Sequence, residues 1–319
     1  MRIGKLTNDE LTNNVIDVIG TKRPEVLSSA GISKDCAAVK CGDIILLTSD
    51  PITAASHIAG RLAIIVSSND IAAGGGEPFC CLLTIIAPTD ATPDDIRAVM
   101  TEAQSQAAAL DIDIVGGHTE FSPSVNRTIV SCTMLGRTVK PAARKLQGGD
   151  SIIMTKYAGL EGTIIAANDK GEKLSLSDSD RLFVDGLAEN LSVLKESKAV
   201  SGYDVLMHDI TEGGVFGAIY EVCLSQNSGA DIYTSDIPVL PVTNKICNTL
   251  GLDPYRLISS GSMLIFTDKP QEILSALHSD NIKAAKIGEI NDTGTVRAFF
   301  DSGDTVIIDS GEDEICKLL

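Results

Sequence analysis

Residues 67–78 read SSNDIAAGGGEP. They follow HIAGRLAIIV, an apolar run that reads as the body of a helix over 55–73, and they precede FCCLLTIIAP, a near-continuous apolar run of strand length. Three glycines, Gly74 to Gly76, make the tight exit from that helix toward that strand. Asp70 sits just before the exit. A carboxylate there faces the negative end of the helix dipole, an arrangement that costs about 0.3–1 kcal/mol. The acid therefore calls for a compensating partner.

Outward from this stretch, helix and strand signals alternate. Leu11, Val15, Ile16, Val18 and Ile19 give residues 8–28 a helical stripe. CGDIILLTSDP carries a buried strand over Ile44–Thr48, stopped at Asp50-Pro51. TPDDIRAVMTEAQSQAAALD predicts a helix with Thr92 as N-cap, Pro93 at its first position and acids in its first turn. DIDIVGGHTEF reads as a strand ending at Gly116-Gly117, and RTIVSCTMLGRTV as another. KPAARKLQGGDS is polar and turn-rich, which places a domain boundary there. Beyond it, SIIMTKYAGLEGTIIAAND runs strand, glycine loop, helix, and VLMHDITEGGVFGAIYEVCLSQ repeats the order. Two domains of mixed α and β structure are expected.

Composition narrows the function. The 319 residues are 44% apolar and 22% charged, with a mean hydropathy of +0.16. No apolar run reaches the roughly 18–20 residues that span a bilayer. The start, MRIGKLTNDELTNN, lacks the apolar core of a signal peptide, so a cytoplasmic location is expected. A net charge of −17 repels nucleic acid and anionic membranes, and neither is expected as a partner. A phosphate ligand would need metal ions or backbone N–H groups. The eight cysteines show no Cys-x-x-Cys and read as reduced thiols.

Several acids close an apolar run or open a small-residue turn: Asp35, Asp50, Asp70, Glu120 and Asp209. Strand ends are where α/β proteins gather ligand groups, and hard cations take carboxylate oxygens. Aspartate at a turn also serves simply to bond its own backbone. Glycine forms the second signal. Gly159 and Gly162 in KYAGLEGT, and Thr211, Gly213 and Gly214 in HDITEGG, can bring backbone amides to a phosphate. Asp209 or Thr211 can equally cap the following helix. His118 and His208 are candidates for proton transfer, with a structurally bonded histidine as the alternative reading of each, while His57 and His278 read as structural.

In order along the chain, DCAAV, LLTSDP, NDIAAGGGEP, IVGGHTE, HDITEGG and LGLDPYRLISSGSMLIF resemble the AIR synthase (PurM-like) superfamily, most closely its HypE-like branch. The resemblance implies an α+β or α/β protein of two domains. The first, 1–140, would bind ATP and form a β-barrel across a homodimer. The second, 148–319, would be an α/β domain. The resemblance further implies ATP and Mg²⁺ as cofactors. It makes Asp35, Asp50 and Asp70 metal- and phosphate-side acids, with Asn69 beside Asp70. Thr119 and Glu120 match the strand-end nucleotide segment, and Asp209 the acid of the second domain's glycine loop.

The chain departs from the HypE-like pattern in four places. Asp-Asp is Asp35-Cys36, Gly-Asp-Thr is Gly117-His118-Thr119, a loop arginine is Glu212, and the final Pro-Arg-Ile-Cys is replaced by EDEICKLL. The resemblance implies an Mg-ATP-dependent enzyme that activates a carbonyl or amide oxygen of a small-molecule or protein-borne substrate. A small-molecule kinase resembling thiamine-monophosphate kinase is the alternative enzyme, and a non-catalytic nucleotide-binding scaffold or sensor the alternative class.

Overall fold

The computed structural model describes residues 8, 9, 12, 26–28, 31–53, 58–138 and 144–318, which divide between two compact units. The first holds strands β1 (Val26–Ser28), β2 (Ala37–Cys41), β3 (Asp43–Ile52), β4 (Glu77–Ala87), β5 (Asp113–Phe121) and β6 (Ile129–Thr138), with helices α1 (Ala59–Ala73) and α2 (Pro93–Ala109). The sheet order is β1-β2-β3-β6-β4-β5, antiparallel except where β5 joins β4 in parallel. Among the described residues this sheet is open, with β1 and β5 at its edges, so the expected barrel is not closed within the chain.

Helix α1 is buried on nearly every side: thirteen of its fifteen residues are inaccessible. It lies between the sheet and α2, and two glycines make that possible. A Cβ at Gly60 would fall 2.1 Å from the Val99 carbonyl oxygen on α2, and one at Gly136 on β6 would fall 2.1 Å from Ile71 Cγ2. The exit glycines form a left-handed C-cap. Gly75 has φ +77°, its N–H donates to Ala72 O, and Gly76 N–H reaches back to Ile71 O. Helix α2 begins as its sequence predicts. Thr92 Oγ1 accepts from Asp95 N–H, and Asp95 Oδ2 accepts from Thr92 N–H.

The helices cover one face of this sheet. Alternation along the strands leaves Val39, Ile45, Leu47, Leu82, Ile86, Ile129 and Leu135 on the other, where no described helix of the unit packs and each is half-buried or exposed.

Four local expectations are corrected. Strand β3 continues through Asp50-Pro51 to Ile52, because β2 accompanies it only to Leu47 and proline is tolerated where one neighbour is missing. Strand β5 does not end at Gly116-Gly117 but runs to Phe121 past an irregularity opposite Cys81 and Leu82. Residues 26–28 form a strand rather than helix; residues 8, 9 and 12 are helical, and the remainder of that prediction lies outside the described residues. The helix predicted from 55 begins at Ala59, and His57 lies outside the described residues.

The second unit holds β7 (Ser151–Thr155), β8 (Leu206–Ile210), β9 (Gly229–Tyr233), β10 (Ser262–Thr267), β11 (Ala284–Asn291), β12 (Val296–Phe299) and β13 (Thr305–Ile307). Its helices are α3 (Leu160–Asp169), α4 (Asp178–Leu187), α5 (Leu194–Val200), α6 (Gly214–Gln226), α7 (Pro241–Leu250) and α8 (Pro270–Ser279). The order is β13-β12-β9-β11-β7-β10-β8, antiparallel except for β9 with β12. Every residue of β7 and β10 is buried, as expected of strands covered on both faces. Phe216 of α6 packs there with Ile152, Met154, Leu264 and Phe266. No helix among the described residues is long and apolar enough to cross a membrane. Cys36, Cys80, Cys81, Cys132, Cys223, Cys247 and Cys316 are free thiols.

Candidate functional site

Each unit gathers buried or half-buried acids at one place. In the first, the period of two along β3 puts Leu46, Thr48, Asp50 and Ile52 on the helix-bearing face. Asp70, in the last turn of α1, meets them from above and is only 8% exposed. Thr48 Oγ1 donates to Asp70 Oδ2 at 2.5 Å and lies 3.3 Å from Asp50 Oδ2. The Cys36 thiol donates to the backbone oxygen of Asp70 at 2.9 Å. Where the resemblance implies a second acid, the chain thus places a donor against the negative end of α1. Asp35 is half-buried beside it. Asn69 is fully buried in α1, so this unit brings together Asp50 and Asp70 and encloses Asn69.

The donor set at this place is oxygen. Asp50 pairs across the sheet with Cys132, whose thiol is pushed far up by its contact with the Cys81 thiol and by burial. It stays protonated, and no thiolate competes from there. Two carboxylates meeting at one hydroxyl oxygen fit a hard cation such as Mg²⁺.

The strand-end residues of β5 sit apart from this centre. His118 Nε2 lies 3.2 Å from Glu120 Oε2, and both side chains are exposed on the edge strand, as is Thr119. Gly117 is required by the sheet: its φ is +148°, and a Cβ would lie 1.8 Å from the Leu83 carbonyl oxygen.

In the second unit the loops after β7 and β8 meet the segment before β10. His208 and Asp209 are not in the turn but within β8, 7% and 3% exposed, and His208 Nε2 lies 3.9 Å from Glu221 Oε2. Neither Asp209 nor Thr211 caps α6. The N-cap is Gly213, and its N–H donates to Asp313 Oδ2 at 2.5 Å. Asp313 Oδ1 accepts from Ile315 N–H at 2.7 Å and Ile258 N–H at 3.3 Å. Burial pushes the Asp313 carboxyl up to about 6 against the pull of these amides.

The glycines here are needed for packing. Gly214 has φ +61°, and its Cβ would sit 2.6 Å from Tyr255 O. Gly159 N–H donates to Ser259 Oγ, and Gly162 N–H to Ile258 O, so both amides are engaged inside the unit rather than presented to a phosphate. Close by, Glu161 at the start of α3 is 5% exposed, and its Oε2 has no hydrogen-bond partner. Burial pushes its carboxyl up to about 7, with Asp313 and Glu212 adding to the rise and the Ser260 hydroxyl opposing it. A cavity of about 400 Å³ opens beside Arg256, Glu312, Asp313, Glu314, Cys316 and Lys317. The Cys316 thiol is pushed up by burial and by the Glu212, Asp313 and Glu312 carboxylates.

Sequence reasoning missed three of these groups. Thr48 had a signal, since it shares a strand face with Asp50 two residues on. Glu161 stands inside a loop singled out for its glycines. Asp313 is 100 residues from Gly213, and nothing local announces the contact.

Residues 33–138 match the AIR synthase related protein N-terminal domain, and residues 147–301 its C-terminal domain. The chain belongs to the AIR synthase related family. Its fold is the two-domain PurM-like fold with mixed α and β content. The putative hydrogenase expression/formation protein MJ0676 of Methanocaldococcus jannaschii is 28% identical over 245 residues, 74% of this family member and 71% of that protein. The carbamoyl dehydratase HypE of Escherichia coli is 26% identical over 257 residues, 78% and 75% of the two chains. A crystal structure of the hydrogenase maturation protein HypE in complex with ATP superposes with a TM-score of 0.75 at 18% identity, covering 98% of this chain and 94% of that one.

Proposed function

We propose that this protein is an ATP-dependent enzyme of the AIR synthase related family that phosphorylates or dehydrates a carbonyl- or amide-type oxygen of a small-molecule or protein-borne substrate. The observation that carries the reading is the meeting of Asp50 and Asp70 at the Thr48 hydroxyl. Asp50 and Asp70, with Asp35 nearby in sequence to Cys36, would hold Mg²⁺, which when bound neutralises phosphate charge. The ATP complex of HypE and the dehydratase name of the E. coli relative support the nucleotide and the reaction class. In this reading 1–140 is the ATP-binding domain and 148–319 the second domain, although the described residues 8, 9, 12 and 31–34 belong to the compact unit that holds 148–319.

In this reading the side chains position and neutralise rather than form covalent bonds, which suits phosphoryl transfer. His118 and His208 are the candidates to move a proton, and Thr211, Gly213 and Gly214 the candidates to contact the cofactor. The uncovered apolar face of the first sheet supports a homodimer formed through it. The test is ATP consumption with Mg²⁺ across amide and carbamoyl substrates, beside Asp70→Asn. Release of ADP or AMP that depends on Asp70 supports the reading. A stable phosphorylated product would favour a small-molecule kinase, and binding without turnover under every condition would favour a sensor.

A further inference from the structure

We propose that the open edge of β13, in the second unit, docks an extended segment of a partner protein that has an apolar centre and basic flanks and joins the sheet as a further strand. The register decides which backbone groups are available for this. β12 and β13 run antiparallel, with Arg297, Ala298 and Phe299 opposite Ile307, Val306 and Thr305. Phe300 N–H donates to Asp304 O, and Ile308 N–H to Val296 O. Bonded pairs alternate along such a ladder, so Asp304, Val306 and Ile308 turn their backbone groups toward β12. Those of Thr305 and Ile307 point the other way, and β13 is the last strand of its sheet among the described residues.

The side chains suit the same use. Thr305, Val306 and Ile307 are all exposed, Val306 by 44% and Ile307 by 69%. Thr305 and Ile307 share a sheet face with Phe299 and Arg297. On that face Phe299 stacks on Tyr233 with ring centroids 5.6 Å apart, and Arg297 donates to both Asp231 oxygens at 2.8 and 3.0 Å. An added strand would set side chains beside Ile307 on this face and beside Val306 on the other. Edges of this kind are commonly blunted by lysine, proline or a bulge, and β13 has none of the three.

Charge selects the partner. From Asp301 to Glu312 the chain carries Asp301, Asp304, Asp309 and Glu312 and no basic residue, and all four acids are exposed. Arg256 engages one of them, Asp309, at 3.2 Å. A second copy of this edge would set four acids against four, which disfavours pairing between copies. A segment with lysine or arginine on either side of an apolar centre meets opposite charge at both ends of the strand.

The experiment measures binding of two labelled peptides, Lys-Lys-Val-Thr-Val-Lys-Lys and Glu-Glu-Val-Thr-Val-Glu-Glu, to the full chain by fluorescence anisotropy, with hydrogen exchange followed across the backbone. The lysine peptide is expected to bind and to slow exchange at Thr305 and Ile307, and the glutamate peptide to stay free. Ile307→Pro removes an N–H that faces outward, so it keeps the pairing with β12 and the net charge. It is expected to weaken the lysine peptide roughly tenfold, the equivalent of one or two net backbone hydrogen bonds. Equal binding by wild type and Ile307→Pro means attraction to the acidic surface alone and overturns the proposal. Equal binding of both peptides, no binding of the lysine peptide, or protection confined to other segments overturns it as well. Where Ile307→Pro does not yield folded protein, Thr305→Pro removes the other outward N–H and carries the same expectation.

Discussion

Asp70 and Asp313 are both buried carboxylates at helix ends, and they sit at opposite ends. Asp313 meets the amino end of α6, where Gly213 N–H points at it, and two more amides complete its surroundings. Asp70 lies in the last turn of α1, where the dipole is unfavourable and the groups aligned nearby are carbonyls. Backbone alone satisfies the first acid. The second draws on a hydroxyl and stands next to another carboxylate. The contrast separates a carboxylate that holds a fold together from one that is held ready for something else.

The largest effect expected from breaking this contrast is functional. Asp70→Asn should lower Mg-ATP turnover by at least about 100-fold, as for the loss of a group that stabilises transition-state charge. It should at the same time raise thermal stability, by about 0.3–1 kcal/mol, by removing the unfavourable charge at the helix end. A calorimetric scan beside the activity assay reads both, and an Asn variant that loses stability contradicts the contrast.

Next comes Glu161→Gln. The folded-state pKa of about 7 lies above the ordinary 4.5, so ionisation destabilises the fold. The penalty begins as pH rises past about 4.5 and is complete above about 7. Replacing the acid should therefore stabilise the protein by roughly 3 kcal/mol at pH 8 and hardly at all at pH 4. Urea unfolding at the two pH values measures the difference, and a gain independent of pH contradicts it.

Asp313→Ala should act in the opposite direction, costing roughly 1–3 kcal/mol at pH 7 by leaving the Gly213 and Ile315 amides unpaired. The same unfolding experiment detects it. The smallest effect belongs to Thr92→Ala, at the start of α2. Loss of its capping box should cost about 1 kcal/mol, with Mg-ATP turnover unchanged. A loss of turnover there would show that the first unit responds as a whole rather than at Asp70.

The sequence made local chemistry legible. Thr92, Pro93 and Asp95 announce a helix start, and the glycines after Ala73 its end, because both devices act within a turn of chain. Asp50 and Asp70 were visible as acids closing apolar runs, though not their meeting at Thr48. What stayed hidden depends on distant partners. Gly162 and Gly214 read as phosphate-loop glycines, yet what demands them is Leu257 and the carbonyl oxygens of Tyr255 and Leu257, roughly forty to ninety-five positions later in the chain. Gly117 read as a strand end because two glycines commonly mark a turn; the close approach of Leu83 on the neighbouring strand gives it another purpose.

The six strands of the first sheet all lie between residues 26 and 138, ahead of every strand of the second unit. They therefore leave the ribosome first. While the rest of the chain is being made, a sheet with Ile45, Leu47, Leu82, Ile86 and Leu135 on its bare face stands in a crowded medium. Ser49 and Thr133, hydrogen-bonded to each other on that face at 2.9 Å, interrupt the apolar surface. If that face is the one through which the proposed homodimer forms, the hydroxyl pair would serve as a gatekeeper during synthesis, limiting how far one nascent chain sticks to another.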